Sequence, residues 1–431
     1  MSIERFAVAR YGKGRIVHAP VVRAGRWVFA TGIRAVGADG LVDSNVLDAH
    51  RPFASPPKPQ REAQFIFERL KEALAVAGSD VADLVRLDQY YPDWQSVDPY
   101  HIARKEALGG VVPPSTSILV DGLLNTNADM DVQAMAFVRA SGLDATSMTP
   151  EQLKPPSESG YAPCLRAGDF VFVAGQLARD ATGNMAPDAV VPPTHLWKGT
   201  RIRRETDYMI RHRLLPALAA GGSDLSLVLK AQVYLSHPED FPAFWQSWST
   251  GFGGRVPPTT VIPVRHPAFG SRDASIEVNL IAATENARAR VRDIECSVEL
   301  LGDNMLPARS LDDLLFVAGL MPLNAAGLVP AGRVEPTAPF FHNAVRAQMA
   351  DILAKAQTIF AAAGASLKDV VRVLHFHADL STFYDTYLEW ERVIGDAGLP
   401  FSAIQVNDAL FVPGAALIVD LWGHIPQQKR G

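Results

Sequence analysis

The stretch FVFVAGQL at 170–177 has two sisters in the same chain, WVFATGIR at 27–34 and LLFVAGLM at 314–321. Each is an apolar, aromatic and β-branched run closed by a small residue and a glycine, the pattern of a buried strand that ends abruptly. The closing glycines, Gly32, Gly175 and Gly319, lie 143 and 144 residues apart. A second phrase recurs with the same order and period: AGSDVADLVRLDQYY from 77, GGSDLSLVLKAQVYL from 221 and AGASLKDVVRVLHFH from 363. A third closes each unit: VPPSTSILV at 112–120, VPPTTVIPV at 256–264 and LPFSAIQV at 399–406. Three phrases in one order at one period make the chain three copies of one unit, too long for a solenoid repeat and long enough for a separate core.

Within each unit the pattern predicts a sheet backed by helices. Ile66, Leu70 and Leu74 mark a helical stripe in the first copy, and Val345, Met349 and Ile352 mark it in the third. Gly78, Gly222 and Gly364 are placed to stop that helix, and the Ser or Asp that follows is placed to cap the next short segment. LKPPSES at 153–159 and ATENARARVRD at 283–293 fit the junctions. The expected units are 1–148, 149–288 and 289–431, of α+β class.

The chain has 431 residues, 48% of them apolar, and a formal net charge of −5. Without a Lys/Arg block it gives no reason to expect nucleic acid as a partner. No apolar run is long enough to cross a bilayer, and MSIERFAVAR lacks a secretory apolar core. Cys164 and Cys296 are too few for a disulfide framework or metal cluster. These features lead us to expect a cytoplasmic protein acting on a small molecule, without membrane, cofactor or metal. His375 and His377 share a strand face but lack a visible third ligand, so they read as packing residues. There is no P-loop, GxGxxG or GxSxG motif.

The second copy, SGYAPCLRAGDFVFVAGQL followed by VLKAQVYLSHPEDFPAFWQSW, VPPTTVIPV and ASIEVNLIAA, resembles the Rid/YjgF (reactive intermediate deaminase, L-PSP) family, and the other copies resemble it more weakly. The resemblance implies a sheet backed by two helices. It also implies homotrimers whose sheets form a central barrel with clefts between neighbours, so that three fused copies suggest a single-chain pseudo-trimer. Whether pseudo-trimers pair further is left open.

Active members of that family hydrolyse enamines and imines to ketones and ammonia. They hold a substrate carboxylate with an arginine in the closing phrase and position water with an acid in the last strand. By resemblance the arginine position falls on Ser115 or Thr116, on Thr259 or Thr260, and on Phe401, so the arginine is absent. The acidic position falls on Gln133, Asn279 and Asp420, with Asp131 and Glu277 two residues earlier on the same strand face. The family's first-strand tyrosine corresponds to His18, Tyr161 and Met305. The resemblance thus implies Asp420, Glu277, His18 and Tyr161 as catalytic candidates. Ser115, Thr116, Thr259, Thr260, Gln133, Asn279 and Arg34 are the substrate-binding candidates, Arg34 (less so Arg179) standing in for the missing anchor. The expected function is hydrolytic deamination of a small enamine, imine or related nitrogenous metabolite. The alternatives are a non-catalytic small-molecule-binding protein and, below it, a cyclic-amide hydrolase, which would need a repeated Ser–Lys pair that the copies lack.

Overall fold

A computed structural model describes residues 3–427 except 13, 48–52, 54, 111, 155–159, 196–199 and 340, so residues 155–159 of the expected junction 153–159 lie outside the described residues. The repeated phrases form corresponding elements. In the first sheet the order is Glu4–Phe6, Val21–Ala24, Trp27–Ile33, Asp131–Phe137, Leu84–Tyr91 and Ser115–Leu119. The last two strands run parallel, with Leu87 opposite Ser115, and the other pairs are antiparallel. The second sheet repeats this order from its edge strand Ala145–Met148 to Thr259–Pro263, and the third from Val291–Ile294 to Phe401–Gln405. In both, the same parallel pair recurs, with Ala231 opposite Thr259 and Val373 opposite Phe401.

Each parallel pair needs a crossover, supplied by the helix Val97–Leu108, Phe241–Gly251 or Phe383–Ile394. The longer helices are Lys58–Val76, the run Arg201–Ala220 and Ala344–Ala363. Their apolar stripes are buried, including Ile66, Leu70, Leu74, Met349 and Ile352, whereas Val345 is only half-buried and Ala344 and Gln348 take the inner face instead. Gly78, Gly222 and Gly364 have φ of +80°, +75° and +83°, which fits their place after these helices. Asp80 and Asp224 cap the next turn, and Ser366 with Asp369 forms a capping box. In the second unit the long helix widens to a π turn at Ile210–Leu214, just before Pro216, which has no N–H to donate.

The opening phrases mark seams between units. A Cβ on Gly32 would sit 2.5 Å from the Phe401 carbonyl of the third unit, and one on Gly319 would sit 3.0 Å from Thr260 Cα of the second. A Cβ on Gly175 would touch Thr116 of the first unit and collide with the Glu277 side chain. At Gly32 and Gly319 the backbone of the neighbouring unit passes close, and at Gly175 the space is taken by Glu277 of its own unit with Thr116 of the first unit alongside. Single parallel bridges run alongside: Val112 to Tyr161, Val256 to Met305 and Leu399 to His18. They link the first unit to the second, the second to the third and the third back to the first. Gly122–Leu123 of the first unit also pairs with Phe401–Gln405. Among the described residues the bridges and this short pairing do not join the three sheets into one continuous ladder, so the expected closed barrel is not formed.

Three cores lie between sheets and helices, one per unit. Two further apolar clusters draw on all three units. One gathers Trp27, Phe170, Phe316 and Trp422, the other Tyr90, Tyr234, Phe376 and Ile404. Burying each such side chain contributes roughly 1.5–3 kcal/mol, enough for these shared layers to couple the units energetically.

Candidate active site in one of three junctions

Beside the seam from Val112 to Tyr161 lies a cavity of about 410 Å³. The first unit contributes Tyr91, His101, Arg104, Ser115 and Ser117, and the second contributes Tyr161, Gly175, Arg179, Arg213 and Glu277. Ser115 and Ser117 are two apart on one strand and so share a face. Ser115 accepts from Arg104 Nη1 (2.8 Å) and donates to Gln89 Oε1 (3.0 Å), to which Ser117 also donates (2.9 Å). Arg213 lies on the π turn, and its Nε donates to Gln176 Oε1 at 3.1 Å.

Glu277 is 6% exposed and lines this cavity. Burial pushes its carboxyl up to about 8, with Arg179 pulling the other way and Asp88 adding to the rise. It is therefore mostly a neutral acid at pH 7. Burial and Glu277 also raise the Tyr161 hydroxyl, while Arg179, Arg213 and Arg104 oppose the rise. His101 is pushed down to about 3 by burial and by Arg104 and Lys105, so it is neutral. The cleft combines a protonatable carboxyl, a phenol, hydroxyls and guanidinium groups, a set suited to moving protons on a polar substrate.

Among the described residues the equivalent junctions are filled. Between the second and third units, Thr259 accepts from Trp248 Nε1 (3.3 Å) and donates to the Pro257 carbonyl (2.8 Å). Trp245, Met305, Met321 and Ile418 leave a void of about 10 Å³, at most one water. Between the third and first units, Phe401 packs its ring 4.7 Å from that of His18. His18 is neutral, pushed down to about 3 by burial and Arg34, and its Nε2 meets the Thr31 carbonyl at 3.0 Å. Arg34 faces Asp131 at 3.8 Å, and burial pushes that carboxyl up to about 6 against the pull of Arg34. His18 and Arg34 thus occupy a sealed junction, apart from Glu277 and Tyr161. His375 and His377 stack in the third core, where His375 Nε2 accepts from Trp390 at 3.0 Å.

The remaining candidates lie at the centre, between the two shared apolar layers. Arg86 Nη2 donates to Asn279 (2.8 Å) and Gln232 (2.6 Å), and its Nε donates to Asp88 (2.9 Å). Lys230 pairs with Asp420 at 3.0 Å and donates to Thr260 at 2.7 Å. Arg372 donates to Gln133 (3.1 Å) and Asp88 (3.3 Å) and lies 3.5 Å from Asp420. Thr260 donates to Asp420 at 2.7 Å, and Thr116 accepts from Asn279 at 3.1 Å. Although burial works to raise it, Lys230 and Arg372 hold Asp420 below the usual carboxylate range. A carboxylate with four partners and no exposed surface cannot meet a substrate. Asp420, Gln133, Asn279, Thr116 and Thr260 therefore join the units at the centre and do not line the cleft.

Of the candidates expected from sequence, the cleft brings together Glu277, Tyr161, Ser115 and the lesser candidate Arg179. Arg104 and His101 were missed, although aligning the copies reveals them. They occupy the positions of Trp248 and Trp245 in the second unit and of Trp390 and Tyr387 in the third. A cation in a tryptophan slot is the signal. No group of three or more His, Cys, Asp or Glu among the described residues could hold a metal ion, and no described helix is long and apolar enough to cross a membrane.

A repeated six-stranded α+β unit with a polar cleft at a unit junction defines a Rid-type protein. A family model described as Endoribonuclease L-PSP matches residues 151–284 and 306–417, and the chain belongs to this Rid/YjgF family, with repeated domains. It is 31% identical over 135 residues to a RutC family protein of Pyrococcus abyssi, covering 31% of this chain and 93% of that protein. Yeast Mmf1 is 20% identical, covering 33% of this chain and all of its own, with a TM-score of 0.27. A Thermotoga maritima structure titled as an endoribonuclease is 25% identical, covering 32% of this chain and 98% of its own, with a TM-score of 0.26.

Proposed function

We propose that the chain is a single-chain pseudo-trimer that hydrolyses a small enamine or imine in the cleft between its first and second units. The proposed units are 1–148, 149–288 and 289–431, except that Ala145–Met148 pairs with the second sheet. The observation that carries this reading is Glu277: a buried carboxyl, pushed up to about 8 by that burial, in an open cavity that Tyr161 and Ser115 also line. As the acid it protonates the enamine carbon, giving an iminium ion. As the resulting carboxylate it takes a proton from the water that attacks the C=N carbon. Glu277 passes that proton on to the amine nitrogen, and as the C–N bond breaks it takes the proton of the carbinolamine hydroxyl, so that ketone and ammonia leave and the acid is restored. The Tyr161 hydroxyl, kept protonated, donates to the oxygen or nitrogen in transit.

The test is ammonia release from enzymatically generated enamino and imino acids, comparing wild type with Glu277→Gln. Release reduced about a hundredfold or more in the variant supports the reading. No release from any substrate by a folded chain refutes it, and leaves the cleft as a non-catalytic small-molecule site.

A further inference from the structure

The three copies act as controls for one another. The basic residue nine positions before each helix-ending glycine is Arg69, Arg213 or Lys355. Arg69 donates to the Arg34 and Val36 carbonyls, Lys355 to those of Met321 and Leu323, and Arg213 to that of Arg179 at 3.4 Å. This is one device used three times to pin the loop after the glycine strand, so Arg213 carries no information about the ligand.

Arg104 and Arg179 differ. Arg104 stands where the sister units have Trp248 and Trp390, and Arg179 where they have Val36 and Leu323. Their sister residues lie in filled or pinned junctions, and only the open cleft has a guanidinium in each slot. The two also come from different units, Arg104 from the first and Arg179 from the second. Arg179 Nε is buried without a hydrogen-bond partner. The nearby carboxylate of Asp180 is committed to its own turn, accepting from Thr182 N (2.8 Å) and Oγ1 (2.6 Å). Tyr91, Trp94 and Phe269 line the same cavity of about 410 Å³.

We infer that this cleft takes a ligand with two acidic groups on a flat unsaturated or aromatic body, one group for Arg104 and the other for Arg179. The inference rests on the placement of the working site proposed above. A ligand held by both arginines also fastens the first unit to the second.

The test is calorimetric titration of the full chain with benzene-1,4-dicarboxylate and with benzoate, neither of which can be deaminated. The dicarboxylate should bind roughly ten- to a hundredfold tighter, the worth of one added charge-assisted contact. Arg179→Leu, which copies the side chain at the same place in the third unit, and Arg104→Gln, which keeps a donor for Ser115, should each bring the dicarboxylate down to benzoate's affinity. Equal affinities in wild type, binding of neither probe, or a preference that survives Arg179→Leu in a folded chain would overturn the inference. A clear preference with no ammonia release from any substrate would leave it standing and end the deaminase reading instead.

Discussion

Asp420→Asn should damage the fold and spare the chemistry, the reverse of what its place in the last strand suggests. At the centre, Arg86, Lys230 and Arg372 face the carboxylates of Asp88 and Asp420, leaving one positive charge in excess among fully buried groups. The asparagine keeps the shape and raises that excess to two. Breaking a buried pair by removing one partner costs about 3–5 kcal/mol. At about 2.1 cal/mol/K per residue, a 431-residue chain melting as one unit has an unfolding entropy of roughly 0.9 kcal/mol/K. The expected fall in Tm is therefore about 3–6 °C, measured by differential scanning calorimetry at pH 7. The effect should depend on pH with a definite sign. Because Asp420 is held below its ordinary range, its contribution is complete above the unfolded carboxylate pKa of about 4 and is lost as pH falls through the folded value. Wild type and variant should converge in acid. A variant that melts within about 1 °C of wild type at pH 7 yet no longer releases ammonia would refute this reasoning and return Asp420 to the chemistry.

Glu277→Gln should abolish ammonia release while making the chain relatively more stable as pH rises from about 4.5 to about 8, because the wild-type carboxyl is raised and must ionise in a buried place over that window; urea titrations across pH would show it. Gly32→Ala should cost about 2 kcal/mol or more, since φ is +69° and the new methyl meets the Phe401 carbonyl; its urea midpoint is the measure. Phe401→Ser should cost about 3–5 kcal/mol through the cavity it leaves and should make His18 titratable by NMR, whereas the wild-type ring, pushed down to about 3 by burial, should stay neutral above pH 4.

The repeats were legible because glycine marks places where no Cβ fits, and the end of the same strand leaves that mark three times, at Gly32 and Gly319 against a neighbouring unit and at Gly175 against Glu277. The cleft was legible only in part. Glu277 and Asn279 are two apart on one strand face, which alternation reads correctly, yet only Glu277 reaches the cavity. Two residues are roughly 6.8 Å along a strand, and sequence fixes the face of a residue but not its depth relative to a neighbouring unit. The choice between Ser115 and Thr116 for the arginine position had the opposite effect, because a slip of one exchanges faces: Ser115 lines the cleft and Thr116 meets Asn279 at the centre. Arg104 was hidden because a helical arginine usually reads as solvent-facing, and only its tryptophan counterparts mark the slot as interior.

The bridge from Leu399 to His18 joins the last unit back to the first. In an open array, deleting an end unit removes one contact surface. Here deleting any unit removes two and strips Arg86, Lys230 or Arg372 of partners held in another unit. A shortened gene product of two units should therefore fail to accumulate as a folded protein, whereas moving the chain's ends to another junction, by joining 427 to 3 through a flexible linker and opening near 290, keeps all three bridges intact.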